Sequence, residues 1–138
     1  MKIAIDLSHV FNSTSNDVDN AYILKTMLDA LIRINLVYIR RYHPKPLYES
    51  GVVYGRTVVW DPIPALYRRG YGDCKSLSCA LIAEYLIQGI AAKPVFRFRN
   101  RQDGGKDFHI LVLTNKGHED PSAKLGMLTY RGNTCDNR

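Results

Sequence analysis

The stretch that decides the fold is residues 70–89, which read GYGDCKSLSCALIAEYLIQG. Apolar residues recur in it at helical spacing and leave a narrow polar stripe of Ser76, Glu84 and Gln88. Gly72 and Asp73 are typical of a turn followed by an N-cap, and Gly89 is typical of a C-cap. The pattern therefore predicts a helix that begins at Cys74 and is covered by other elements on most sides.

The two cysteines of this stretch differ in position. A thiol in the first helical turn lies at the positive end of the backbone dipole, which favours the thiolate, and the N–H groups there can hold an oxyanion. Cys74 is therefore a candidate nucleophile, whereas Cys79 in mid-helix is expected to be a small core residue. The two cannot pair, because five helical positions turn their side chains to different faces, and all three cysteines of the chain are expected to be reduced.

The size of the chain suits one domain. A chain of 138 residues can bury a core without disulfides or metals, and we expect a single domain over residues 1–127 with a polar tail over residues 128–138. The start of the chain lacks the features of a signal peptide, and no apolar run is long enough for a bilayer. A soluble, cytoplasmic protein without membrane partners is expected.

The net charge of +6 is spread along the chain. The alternating Arg97, Arg99 and Arg101 are typical of one solvated strand face, with Phe96 and Phe98 on the other. The sequence therefore gives little support to a nucleic-acid partner.

The order of the predicted elements is that of an α+β fold. A strand over Lys2–Leu7 and a polar loop are followed by a long helix from about Val18 to Arg41 and an irregular, aromatic-rich segment over residues 44–64. A short helix over residues 62–69 leads into the central helix. Two strands, Ala92–Arg99 and Asp107–Leu113, and a short returning strand over residues 118–121 complete the chain.

A cysteine nucleophile needs a base and a group that orients the base. His109 is the best base, because it begins an apolar strand; the histidines at positions 9, 43 and 118 are expected to be solvated. If Asn115 and Lys116 form the hairpin turn, Asp120 lies diagonal to His109 on one sheet face and Glu119 points to the other. Asp120 is therefore the preferred orienting acid.

These residues resemble those of the transglutaminase-like superfamily of papain-fold cysteine enzymes. The resemblance covers about residues 57–127: a Gly-x-Cys helix start (residues 72–74), a strand opening with His109, and Glu-Asp-Pro-Ser at residues 119–122. Trp-Asp-Pro at residues 60–62, followed by Arg-Gly-Tyr-Gly-Asp-Cys at residues 69–74, is similar to the bacterial transglutaminase-like cysteine proteinases. The resemblance implies a papain-like core in which the central helix packs on a small antiparallel sheet.

The resemblance also implies roles for the site residues. Cys74 attacks an acyl carbon, His109 takes and returns the proton, and Asp120 orients His109. The backbone N–H of Cys74 is one oxyanion donor, and the second is left open among three aromatic residues, Trp60, Tyr48 and Tyr38.

The chain departs from the proteinases at Lys75, where they usually carry an acid and some bind calcium. Asp73 alone is a weak cation site, so no calcium, other metal or cofactor is expected. If the Lys75 ammonium points toward Cys74, it would favour the thiolate.

The function implied is a cysteine hydrolase that cleaves peptide or isopeptide amide bonds in a protein or peptide substrate; the sequence does not separate this from acyl transfer to an amine. The short chain, residues 46–52 and the Glu-Asp-Pro-Ser ending are similar to short versions encoded in tailed bacteriophage genomes. That origin implies the host cytoplasm or the virion as location, and other virion proteins as partners. The alternative is a virion structural or interaction protein that keeps the fold with catalysis optional or lost. Cell-wall amide hydrolysis is disfavoured by Lys75 and Ser76, where related peptidases usually carry serine and glycine.

Overall fold

The fold was analysed in a computed structural model, which describes residues 1–8, 17–100, 102–104 and 106–127. The helices are α1 (Asp17–Tyr42), α2 (Ile63–Arg69), α3 (Cys74–Ile87) and α4 (Pro121–Lys124), with one 3₁₀ turn at Leu47–Glu49. The strands are β1 (Val53–Tyr54), β2 (Tyr71–Gly72), β3 (Ala92–Asn100), β4 (Lys106–Thr114) and β5 (Gly117–Glu119). The predicted α+β class is confirmed.

The strands form two small sheets. In the antiparallel sheet β3-β4-β5, Phe96 lies opposite Ile110 and Glu119 opposite Val112, so the predicted hairpins are present. The strands β1 and β2 form a separate parallel pair. This pair was not predicted, because two-residue strands carry no readable alternation.

The predicted strand over Lys2–Leu7 is wrong. Residues 1–7 are not in a strand, and Ile3 and Ile5 are 74% and 71% exposed. Alternating apolar residues form a half-buried strand only where they pair with a sheet edge, and residues 1–7 pair with neither of the two described sheets. Most of the predicted polar loop, the Arg101 position and the tail over 128–138 lie outside the described residues.

The central helix has the predicted ends. The Asp73 side chain accepts a hydrogen bond from the Lys75 N–H, so the helix begins at Cys74. Gly89 has φ of 79°, its N–H donates to Leu86 O at 3.1 Å, and the next N–H, of Ile90, donates to Tyr85 O at 2.9 Å. A left-handed residue with these two bonds closes the helix, which explains the glycine.

The core is built around α3. All residues from 76 to 83 are buried, against Leu24, Leu28, Leu31 and Ile32 of α1 on one side and Ile110 and Val112 of β4 on the other. Ser76, which belongs to the polar stripe of the helix, is fully buried. Within the part of the chain that the structure describes, none of the helices has the length and apolar character needed to cross a bilayer.

Candidate active site

Cys74 is the first residue of α3, half-buried and packed at the edge of the core. The chain reaches it through β2, whose Gly72 is buried against α2. A Cβ atom at Gly72 would lie 2.5 Å from Cδ1 of Leu66, a distance that no real contact allows. A side chain two residues before the cysteine would therefore force the Leu66 side chain of α2 to move, which favours glycine at this position.

His109 and Asp120 are brought together by the sheet. The His109 ring is 1% exposed, and its Nε2 lies 2.8 Å from Oδ2 of Asp120. The other carboxylate oxygen of Asp120 accepts hydrogen bonds from the N–H groups of Ser122 at 3.0 Å and Ala123 at 3.2 Å. Since Asp120 is thereby the N-cap of α4, both the carboxylate and the imidazole have fixed orientations.

Glu119 points away from His109, as the hairpin register requires. Its carboxylate accepts hydrogen bonds from the hydroxyls of Tyr48 at 2.6 Å and Tyr85 at 2.5 Å, and from Lys124 Nζ at 2.9 Å. Burial acts to raise the pKa of Glu119, but these three donors outweigh it and hold the pKa below the ordinary value. Burial and the bond to Glu119 also raise the pKa of Tyr85 to about 12.

Two connections tie the start of α3 to the His109 and Asp120 pair. Ser78, one turn after Cys74 on the same side of α3, donates its hydroxyl to Ile110 O at 3.1 Å, next to His109. In addition, α4 packs against α3 and β1, and the Tyr54 N–H donates to Leu125 O at 2.8 Å. The first half of α3, the start of α4 and the middle of β4 therefore form one end of the core.

Lys75 is a base rather than an acid, and its side chain contacts residues that precede it in the chain. Its Nζ donates hydrogen bonds to the Asp73 carboxylate and to Thr57 O, the latter at 2.9 Å, and lies 5.8 Å from the centre of the Trp60 ring. Burial raises the pKa of Asp73, and the Lys75 ammonium opposes that rise. The ammonium thus fastens residues 57–60 to the first turn of α3.

The three oxyanion candidates occupy different places. Trp60 lies beside the first turn of α3, through Lys75. The Tyr48 hydroxyl shares Glu119 with Tyr85, which is eleven residues beyond Cys74 and therefore about 16 Å along the helix. The Tyr38 ring packs against Tyr42, with centroids 4.9 Å apart. Of the three, Trp60 is the one that the structure brings to the turn holding Cys74.

Asp61, Ser76 and Arg69 form a buried polar contact that sequence reasoning missed. The N–H of Asp61 donates to Ser76 Oγ at 3.0 Å, and its carboxylate accepts from Arg69 Nε at 2.6 Å. Asp61 is 4% exposed, and its hydrogen bond raises the pKa of Arg69. The Trp-Asp-Pro motif drew attention to this aspartate, but nothing in the sequence indicates its partners, which lie eight and fifteen residues away.

Cys79 is a core residue, as predicted. It is fully buried, donates its thiol to Leu28 O at 3.6 Å, and burial raises its pKa. Cys74 and Cys79 are both free thiols, and the third cysteine lies outside the described residues. The described residues contain no group of three His, Cys, Asp or Glu side chains arranged to hold a metal ion.

Comparison of this chain with models of protein families, with curated proteins and with solved structures finds no match.

Proposed function

We propose that this chain is a transglutaminase-like cysteine hydrolase that cleaves peptide or isopeptide amide bonds. Cys74 is the nucleophile, His109 the base and Asp120 the residue that orients the base. The observation that carries the proposal is the buried pair of His109 and Asp120, 2.8 Å apart, at the end of the core where α3 begins. A cysteine nucleophile requires a base and a third group that orients the base, and His109 and Asp120 are available for these two roles.

The chemistry follows from these groups. The Cys74 thiolate forms a bond to the carbonyl carbon, and the electron pair of the C=O bond moves to the oxygen. When this intermediate collapses, the C–N bond breaks and the His109 imidazolium gives its proton to the leaving amine. Water then attacks the thioester carbon while His109 takes a proton from it. When this second intermediate collapses, the C–S bond breaks, the acid is released, and the Cys74 thiolate and the His109 imidazolium are restored.

Asp120 contributes by accepting the hydrogen bond of the imidazolium at Nε2, which fixes the orientation of the ring. Its second oxygen is occupied by two backbone N–H groups, so the carboxylate cannot turn away when the ring changes charge. Trp60 and the backbone of the first turn of α3 are the groups available to stabilise the oxyanion.

The test is the rate at which iodoacetamide alkylates each cysteine, measured by mass spectrometry of its peptide between pH 5.5 and 8. We expect the Cys74 peptide to react at least about tenfold faster than a free thiol at pH 6, because a base that takes the thiol proton activates the nucleophile. His109→Gln should abolish this excess.

Cys79→Ala is the matched control, since it removes the other cysteine of α3 and should leave the Cys74 rate unchanged. A wild-type rate equal to that of a free thiol at every pH, unaffected by His109→Gln, would refute the proposal. Products separate the two reactions: new amino termini indicate hydrolysis, and incorporation of a fluorescent primary amine indicates acyl transfer.

A further inference from the structure

A groove of about 1000 Å³ is lined by residues 1–3, α1, α2 and the residues just before α2. Its walls are largely apolar and include Leu31, Ile34, Val59, Trp60, Pro62 and Ala65. Ile34 is 55% exposed and Val59 40% exposed, so the groove presents uncovered apolar surface. Its volume is at the upper end of that of ligand sites and is sufficient for several side chains of an extended peptide.

The charges around this groove are positive. Its lining includes Lys2, Arg68 and Arg69, and the one acid that lines it, Asp61, is 4% exposed and bound by Arg69 Nε at 2.6 Å. Arg68 is exposed in the last turn of α2. A ligand in the groove therefore meets both apolar side chains and a positive electrostatic potential. This combination favours a ligand with apolar and negatively charged groups.

The groove adjoins the turn that holds Cys74. Trp60 and Asp61, which line it, are fastened to the first turn of α3: the Lys75 ammonium lies 5.8 Å from the Trp60 ring, and the Asp61 N–H donates to Ser76 Oγ. A peptide in the groove would therefore approach the start of α3.

We propose that this groove is a substrate subsite, and that it binds an extended peptide segment carrying apolar and acidic side chains. The assignment of the bound segment as substrate rests on the proposed function of Cys74, whereas its binding does not. An experiment can therefore refute peptide binding in the groove and the proposed function of Cys74 independently of each other.

The protein contains a single tryptophan, which lines the groove, so its emission reports on this site. The full chain with Cys74→Ala, which prevents turnover, is titrated with the acetylated and amidated peptide GGLELEGG. We expect a saturable change in Trp60 emission that weakens as salt is added, because exposed charges are screened. The peptides GGLKLKGG and GGSESEGG, which lack the acidic and the apolar groups respectively, should bind at least about fivefold more weakly.

Arg68→Glu should weaken binding of GGLELEGG by about fivefold or more, and Arg68→Gln by less, since reversal adds repulsion to the loss of attraction. Arg40→Glu is the matched control: it makes the same charge change on an exposed residue of α1 outside the groove and should leave binding unchanged. Circular dichroism of each variant verifies folding, and Arg68→Gln keeps the test decisive if Arg68→Glu does not fold.

The proposal is overturned if GGLELEGG leaves the emission unchanged, if GGLKLKGG binds equally well, or if both Arg68 variants bind as wild type. Emission that depends on protein concentration alone would assign the groove to a second copy of the chain and would also overturn it. Peptide binding together with an unreactive Cys74 would refute the proposed function and leave the groove as a peptide site.

Discussion

The two carboxylate oxygens of Asp120 contact different groups, and substitutions of Asp120 can separate the contributions of these contacts. Oδ1 caps α4 by accepting from the N–H groups of Ser122 and Ala123, and Oδ2 lies 2.8 Å from Nε2 of His109. Asp120→Ser keeps a capping oxygen but is too short to reach His109. Asp120→Asn keeps the cap and places either an amide oxygen or an amide NH₂ at the ring.

The magnitudes follow from these contacts. Loss of an N-cap costs about 1 kcal/mol, and leaving the buried His109 nitrogen without its carboxylate costs about 1–3 kcal/mol. Asp120→Ala loses both and should lower the free energy of unfolding by about 2–4 kcal/mol. Asp120→Ser should lose about 1–3 kcal/mol, since only the contact with His109 is removed.

The effect on reactivity should be larger than the effect on stability for Asp120→Asn. The asparagine amide is neutral, so it cannot stabilise the imidazolium that the proposed mechanism requires. We expect the alkylation rate of Cys74 at pH 6 to fall at least about tenfold in this variant, to that of a free thiol, while the loss of stability stays near 1 kcal/mol.

The measurements are urea unfolding for stability and mass spectrometry of the Cys74 peptide for reactivity, with the buried Cys79 as internal control for unfolding. If folded Asp120→Asn is alkylated at the wild-type rate over pH 5.5–7.5, the carboxylate does not act on the cysteine through His109. If Asp120→Ala is no less stable than Asp120→Ser, the capping role is wrong.

Three further predictions concern α3 and the strand that leads to it. Burial raises the pKa of Glu84 to about 7 from an ordinary 4.5, although its bond from the Leu47 N–H opposes this. The folded chain therefore holds this proton more tightly than the unfolded chain, and stability falls as pH rises from about 4.5 to about 7. Glu84→Gln should remove this fall in stability. After allowance for the half-buried side chain, the variant should be about 1–2 kcal/mol more stable than wild type at pH 8 but not at pH 4. The same dependence of unfolding free energy on pH in both proteins would contradict this prediction. Gly72→Ala should destabilise the protein by about 1–3 kcal/mol because its Cβ would meet Leu66. Gly51→Ala, where a Cβ meets nothing, tests the separate effect of a positive φ. If thermal unfolding shows Gly72→Ala to be neutral, β2 can move to accommodate the methyl group. Leu77→Ala should cost about 2–5 kcal/mol by urea unfolding, since Leu77 is fully buried, and Leu86→Ala on the exposed end of the same helix should cost much less; equal losses would contradict the assigned helix face.

Much of the site could be predicted because its parts are governed by short-range rules. The ends of α3 follow from a capping aspartate and a left-handed glycine, and the facing of Asp120 toward His109 follows from the two-residue turn at Asn115 and Lys116. The strand prediction for residues 2–7 failed because an alternating pattern of apolar residues does not show whether the segment pairs with a sheet.

The amino-acid sequence by itself determined the helix that starts at Cys74, the order of the three strands in the antiparallel sheet and the residue that holds the His109 ring. Only the tertiary structure decided which aromatic residue lies beside that helix start, where the Lys75 ammonium goes, and that Asp61 is buried between Ser76 and Arg69. Caps and hairpin registers depend on residues a few positions apart, so they can be read locally. The partners of a buried charge or ring depend on how whole elements pack, and no local pattern records that.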